Sequence, residues 1–415
     1  MFLFFALLIK IFNQIREMLI MDIINVRIIN NACTSEESYI KIEDGIITEI
    51  GPMSSFSKNS NNVPDSGDVL DGSGLYACAG YIDIHSHGGY GFDIMDGTAE
   101  ALDKISEFHL DNGVTSFLAT TLTASFSSIQ KAIDNVRKHK TCHGRVIGVH
   151  LEGPFLSRRN RGAQPEEYLA VPDEESIQFV IKNSDVIKLI TVSPDVMGID
   201  RLIKECVKRG IAVSGGHDCA IDTEIDDAIN SGMTNVTHIY CCSSGISRRD
   251  TPQKHIGLTQ IGLLDDRLWV EVIADGCHVP DRLFDFVYKC KGYKKICLVS
   301  DSLRAAGMPK GNYMLGSKED GVEMEVAGDV ALIKGSNRFA GSITPVSKMV
   351  ERLVARGGVP LEEAVYMVTQ APASSLGISD RGSVECGKLA DINLVDNAGK
   401  VKVTVLDGKI VRNRI

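Results

Sequence analysis

Tyr81-Ile82-Asp83-Ile84-His85-Ser86-His87-Gly88-Gly89 carries two imidazoles two residues apart. Apolar Ile82 and Ile84 alternate with polar Asp83, His85 and His87, which is strand periodicity and puts both imidazoles on one face. The glycines then end the strand. Two histidines at the end of a buried strand are costly unless something uses their ring nitrogens. A divalent metal ion is the commonest user; the alternative is a pair of hydrogen-bonded core histidines.

Further polar groups end other apolar runs. His150-Leu151-Glu152-Gly153-Pro154 follows one, Gly215-Gly216-His217-Asp218 a second and Thr237-His238 a third. Ala274-Asp275-Gly276-Cys277-His278 and Leu298-Val299-Ser300-Asp301 follow two more. Six of the ten histidines stand at these ends, so a shared site fits them better than six separate core roles. Glu152 either caps a helix or bridges two ions between imidazoles. Asp301 is either an N-cap or the group that holds a water and takes its proton. His150 reads as a supporting or core residue, Asp83 and Asp275 as supporting or turn residues. His109, His139, His143 and His255 read as solvated surface.

Imidazole and carboxylate donors suit Zn²⁺ or a similar ion. Such an ion lowers the pKa of water towards about 7 and polarises a carbonyl. With Asp301 moving the proton to a leaving nitrogen, the set fits hydrolysis of an amide or related C–N bond. No serine elbow or Cys-His nucleophile motif competes.

The elements that must position these groups alternate. Candidate strands are Tyr81–His85, Thr115–Ala119, Val146–Leu151, Ile187–Val192, Ala212–Ser214, Asn235–His238, Trp269–Ile273 and Ile296–Ser300. Amphipathic helices Ala99–Asn112, Ser125–His139, Ile199–Arg209 and Thr223–Ser231 lie between them. Eight strands with interleaved helices fit an α/β fold of the (β/α)8 TIM-barrel type, whose working residues sit at the C-terminal strand ends. A doubly wound sheet is the runner-up, but no GxGxxG supports a dinucleotide fold.

Both chain ends differ from this middle. Residues 21–78 and 380–415 are short strands with Asp44-Gly45 and Asp407-Gly408 hairpin turns. They predict a small β-sandwich domain built from both termini, with 79–379 as the barrel. Ser54 to Ser66 reads as a surface loop. Residues 1–20 read as an extension with a mis-set start, Met18 or Met21 being the true one; a membrane-associated helix is the alternative. The apolar run Phe2–Ile9 is too short to span a bilayer.

The chain has 415 residues, 44% hydrophobic, and a net charge of −10 without a basic run. Nucleic acid and anionic membrane are therefore not expected partners. The eleven cysteines include no CxxC pair, and reduced thiols in the cytoplasm are the expectation. Cys206, Cys290 and Cys297 read as small hydrophobes within apolar elements.

From about Met21 the chain resembles the N-acetylglucosamine-6-phosphate deacetylases of the amidohydrolase superfamily. The resemblance rests on His85-Ser86-His87-Gly88-Gly89, His150 to Leu156, Gly216-His217, Thr237-His238, Ala274 to His278 and Val299-Ser300-Asp301 with Ala305-Ala306-Gly307. Phe339-Ala340-Gly341-Ser342 and the tail from Gly382 to Asp391 extend it. It implies metal-dependent removal of acetate from an amino-sugar 6-phosphate, N-acetylglucosamine 6-phosphate first. It implies that Glu152, His217 and His238 hold the essential ion and that His85 and His87 hold a second one with Glu152. One or two ions per chain follow, zinc first, with iron, manganese or cobalt as substitutes. Asp301 becomes general base and then acid, and His278 contacts the sugar phosphate. A homodimer is also implied.

Three departures fall around the substrate. The family's Lys-Gly-Ala-His is here Arg161-Gly162-Ala163-Gln164, its Asn-Ala-Met is Cys241-Cys242-Ser243, and its His-Arg-Glu-Pro-Gly is Arg248-Arg249-Asp250-Thr251-Pro252. Gln164, Cys241, Cys242, Arg249, His278 and Phe339 are thus the expected substrate contacts, with Arg249, joined by Arg248, for the phosphate. Cys241 and Cys242 read as a packed loop near the pocket, a third metal or redox site being the alternative. These departures keep open an amidohydrolase acting on another N-acyl or cyclic amide. A metal-binding regulator without turnover is the third reading, and the presence of Asp301 speaks against it.

Overall fold

The computed structural model describes residues 19–56, 68–141, 143–249, 251–319 and 321–415. The apolar run Phe2–Ile9, the Met18 start, Asp250 and most of the Ser54 to Ser66 loop lie outside them.

Eight strands form one parallel sheet in sequential order: Tyr81–Ser86, Val114–Thr121, Arg145–Glu152, Ile187–Val192, Ala212–Gly215, Asn235–Val236, Trp269–Val272 and Ile296–Leu298. The segment after the last strand closes the barrel. Ser302 bridges Ser86 in parallel, and the Asp301 N–H donates to the His85 carbonyl at 2.9 Å. Ile82, Ile84, Leu118, Val149, Leu151, Ile190 and Val270 are fully buried along these strands. Each such side chain contributes about 1.5–3 kcal/mol relative to exposure. Strands buried on both faces read as near-continuous apolar runs, so every polar residue among them stands out.

A helix follows each strand. The first is Ala99–Asp111, capped by Thr98, whose hydroxyl accepts from the Ala101 N–H. The next are Phe126–Lys138, Glu174–Lys182, Ile199–Val207, Asp222–Ser231, Leu258–Leu264 and Asp281–Lys291. After the eighth strand, a four-stranded antiparallel sheet (Gly311–Leu315, Val322–Ala327, Val330–Ile333 and Phe339–Gly341) precedes helix Val346–Ala355. This sheet lies outside the candidate strands, although Val322-Glu323-Met324-Glu325-Val326 alternates apolar and polar residues as a half-buried strand does. Its last strand is tied to the barrel by a Ser302–Ser342 bridge, which carries Phe339 to the barrel mouth.

The two chain ends share a second, eight-stranded sheet. Lys409–Asn413, Val401–Leu406 and Ile392–Val395 continue through Tyr76–Ala79 into Ile20–Asn30, Cys33–Glu43 and Ile46–Pro52, with Asp68–Asp71 beside Ile20–Asn30. An Ile46–Leu389 bridge turns the far edge back towards the C-terminal strands, and the sheet encloses its own core of Ile23, Ile40, Ile42, Ile392, Val403 and Val405. Asp44-Gly45 and Asp407-Gly408 all take positive φ, as two-residue hairpins require. The first strand begins at Ile20, inside the expected extension, and pairs there with Glu43.

Candidate active site

Five side chains converge above the C-terminal barrel end. Glu152 ends the third strand and is 2% exposed. Gly153 turns the chain immediately afterwards at φ 77°. Glu152 Oε1 lies 3.1 Å from both His217 Nε2 and His238 Nε2, and Oε2 lies 3.2 Å from His87 Nε2. His85 Nε2 is 3.6 Å from Oε1 and has no hydrogen-bond partner. Two groups of three donors result, His85-His87-Glu152 and Glu152-His217-His238, with Glu152 common to both.

Asp301 sits on the His85–His87 side, its Oδ1 3.3 Å from His87 Nε2 and 3.6 Å from His85 Nε2. His217, His238 and Asp301 all take left-handed backbone angles, φ 48°, 24° and 45°. Such conformations cost about 1–3 kcal/mol each in a non-glycine residue and gather at functional sites.

The electrostatics fit a cation. Burial opposes charge on His87, but Asp301 and Glu152 outweigh it and hold the imidazole up at about 9. Burial likewise opposes charge on His217, yet Cys242 and Glu152 raise it to about 10. Burial alone would push Glu152 and Asp301 upward, but the neighbouring imidazoles hold both below the usual carboxylate range. Two ring nitrogens, His217 Nε2 and His238 Nε2, face each other at 3.2 Å. Protons on both would collide, whereas a single divalent cation satisfies both. Buried, ionised carboxylate amid inward-facing imidazoles is the donor chemistry of a divalent metal site.

A neighbouring carboxylate fixes the inner histidine. Glu271 Oε2 accepts from His85 Nδ1–H at 2.9 Å and from the His238 N–H at 3.3 Å. Glu271 was not among the sequence candidates. Its signal was a lone acid within Trp269-Val270-Glu271-Val272, a strand otherwise apolar.

A cavity of about 280 Å³ opens over this cluster, lined among others by His87, Glu152, Gln164, His217, His238 and Asp301. Cys241, Cys242, His278 and Phe339 also line it. His278 Nδ1–H donates to Asp275 Oδ2 at 2.7 Å, which leaves Nε2, buried and unpartnered, as an acceptor. Its ring packs on Phe339 at 4.2 Å between centroids. Gln164 is engaged twice: Nε2 donates to Glu152 Oε2 at 2.7 Å and Oε1 accepts from the Thr123 N–H at 2.8 Å. Cys242 approaches so closely that a Cβ at Gly162 would lie 2.7 Å from its sulfur. Burial pushes the Cys241 thiol up, so it stays protonated.

Several expectations are corrected. Arg249 does not line the cavity; its Nη1 pairs with Glu224 Oε1 at 2.7 Å. Arg248 donates instead to the Pro252 carbonyl at 3.1 Å. The cation that does line the cavity is Arg338, one residue before Phe339, which the sequence reading passed over. His109 is not solvated. It is 2% exposed, 2.8 Å from Ser86 Oγ, and burial lowers it to about 3. His255 is also buried, paired with Asp222 at 2.9 Å. His150 lies in the core, 2.7 Å from Thr191 Oγ1, and burial with nearby His85 keeps it neutral. Cys290 is exposed rather than packed. Among the described residues, no helix is long and apolar enough to cross a membrane.

A larger cavity of about 630 Å³ lies at the opposite barrel end, beside Arg145 and Arg381. Its arginines Arg137, Arg145 and Arg381 are paired with Asp185, Asp391 and Asp380, and none of the converging donors reaches it.

The profile of the amidohydrolase family matches residues 76–411. The N-acetylglucosamine-6-phosphate deacetylase of Bacillus subtilis (strain 168) is 32% identical over 386 residues, 90% of this chain and 93% of that protein. The N-acetylgalactosamine-6-phosphate deacetylase of Escherichia coli O157:H7 is 30% identical over 90% of this chain and 95% of its own length. The crystal structure of N-acetylglucosamine-6-phosphate deacetylase from Pasteurella multocida superposes with a TM-score of 0.85 at 26% identity, covering 95% of this chain and all of that one. With a matching family profile over most of its length, these relatives, and paired imidazole–carboxylate groups at the C-terminal end of a (β/α)8 barrel, the chain belongs to the amidohydrolase family, in the branch that holds the amino-sugar-6-phosphate deacetylases.

Proposed function

We propose that this chain hydrolyses the N-acetyl amide of an amino-sugar 6-phosphate, N-acetylglucosamine 6-phosphate first, to the free amino-sugar phosphate and acetate. The observation that carries the reading is Glu152 shared between two histidine pairs, with ionised Asp301 3.3 Å from His87 in the same cavity. Glu152, His217 and His238 would hold one divalent ion, and His85 and His87 with Glu152 a second, zinc being the best match to the donors. Such an ion supplies a Lewis acid that polarises a carbonyl and acidifies water.

The chain's own groups do the rest. Asp301, kept ionised by His87 and His85, takes a proton from water as oxygen adds to the acetyl carbon. It returns that proton to the nitrogen as the C–N bond breaks, so acetic acid and a neutral amine leave, and the acid then gives its proton to the amine or to solvent, leaving acetate. His278 presents Nε2 to a sugar hydroxyl, and Phe339 backs its ring. The family resemblance adds a homodimer, testable by sedimentation. The ten described cysteines are all free, in keeping with a reducing, cytoplasmic setting.

Acetate release from N-acetylglucosamine 6-phosphate, with Zn²⁺, Mn²⁺ or Co²⁺ supplied, tests the reading; no turnover with any ion refutes it. Asp301→Asn should keep its metal and lose turnover. A second reading, an amidohydrolase for another N-acyl substrate, draws on Gln164, whose amide is spent on Glu152 and Thr123 rather than open to a sugar. A substrate panel with both amino-sugar epimers and unphosphorylated N-acyl compounds separates the two.

A further inference from the structure

We infer that Arg338 is the residue of this chain that recognises the anionic end of the substrate. The inference rests on the proposed deacetylation of an amino-sugar 6-phosphate. In such a sugar the amide is on C2 and the phosphate on C6, at opposite sides of the ring. With the amide over Glu152 and Asp301, the phosphate must point away from the donors, towards the rim.

Arg338 stands at that rim. It lines the same cavity as Glu152 and Asp301, and also an adjoining, more open cavity of about 430 Å³ that shares Gly162, Ala163 and Gln164 with it. It is exposed, and its Nη1 donates to the Gly162 carbonyl at 3.3 Å. That bond holds the guanidinium against the loop whose Gln164 touches Glu152. Among the described residues Arg338 makes no ion pair, so its remaining N–H groups are available to phosphate oxygens. Of the arginines of the expected phosphate site, Arg249 is paired with Glu224, and neither it nor Arg248 lines either cavity. Arg161, across Gly162, is bonded to Glu166, which Arg158 also holds. The nearby acids Glu166 and Glu167 line only the outer cavity.

A planar guanidinium at the mouth suits a phosphate monoester better than an ammonium, because it offers two parallel donors. Arg338 also precedes Phe339, whose ring backs His278, so one strand end brings the anion partner and the sugar partner together.

The test compares kcat/KM for N-acetylglucosamine 6-phosphate and for N-acetylglucosamine in the metal-loaded enzyme. Arg338→Ala should lower the ratio of the two about tenfold or more, the scale of a charged hydrogen bond. The change should appear as KM for the phosphorylated sugar, Arg338→Lys should restore part of it, and competition by inorganic phosphate should weaken in parallel. A residue with only a structural role would lower both substrates equally. An unchanged ratio in Arg338→Ala overturns the inference, as does equal loss on both substrates. If the unaltered enzyme releases no acetate from either sugar, the proposed function fails instead, and the two failures are thus distinct.

Discussion

Replacing Glu271 by glutamine tests whether a group outside the donor set governs metal binding. Glu271 Oε2 accepts from His85 Nδ1–H at 2.9 Å and from the His238 N–H at 3.3 Å, while Oε1 has no partner. The amide oxygen of glutamine can occupy the Oε2 position, so both hydrogen bonds survive and only the charge is removed. Loss of a carboxylate behind a ligating histidine costs about 10–100-fold in metal affinity, or about 1.4–2.7 kcal/mol. The shorter bond is to His85, so the ion bound by His85 and His87 should weaken first. Glu271→Leu is harsher. It leaves two buried donors unpaired at about 1–3 kcal/mol each, partly offset by no longer burying a carboxylate. Metal content per chain and competition with a chelator of known affinity, read alongside acetate release, decide the matter. Unchanged affinity and stoichiometry in Glu271→Gln refute the reasoning, and so does loss confined to the ion at His217 and His238.

The two histidine pairs should not be equivalent. His85→Gln should lose one ion and part of the rate, whereas His217→Gln should lose the ion held with His238 and all turnover; equal damage in metal analysis and rate would contradict that ranking. Gln164→Ala removes the 2.7 Å bond to Glu152 Oε2 and should slow turnover about tenfold, the scale of one hydrogen bond to a charged group. An unchanged rate would show that Glu152 is held by its imidazoles alone. In chelated protein, His87 at about 9 and His217 at about 10 lie above the ordinary 6.5. Their contribution to stability is complete below about 6.5 and is lost as pH rises through the folded values. The melting temperature of chelated protein should therefore fall between pH 7 and pH 10. Metal occupancy should rise over the same interval, since ligands bind metal only when unprotonated; a pH-independent melting temperature would exclude the proposed proton–carboxylate pairing.

The amino-acid sequence by itself determined the strands and what ends them. Ile82, Ile84, Val149 and Leu151 are buried whatever their partners, and a polar residue closing such a run must have a use, so His85, His87, Glu152, His217, His238 and Asp301 were legible as one site. The Asp44-Gly45 and Asp407-Gly408 hairpins were equally readable, because those angles suit few other residue pairs. Only tertiary structure decided how polar groups from distant strands meet. Glu271 is a lone acid in the sequence until the barrel closes and brings it to His85. His109 shares the buried helix face of Leu102 and Ile105, but its partners, Ser86 Oγ at 2.8 Å and the Phe117 ring at 4.3 Å, come from two barrel strands. Arg249 and Arg338 are indistinguishable as exposed arginines by composition. One is taken by Glu224, 25 residues away along the chain; the other is carried to the mouth by an inserted sheet that the Ser302–Ser342 bridge ties to the barrel. Burial is written locally, in the alternation of side chains. Pairing between charges depends on which ends of the chain the fold brings within about 4 Å, and no local pattern encodes that distance.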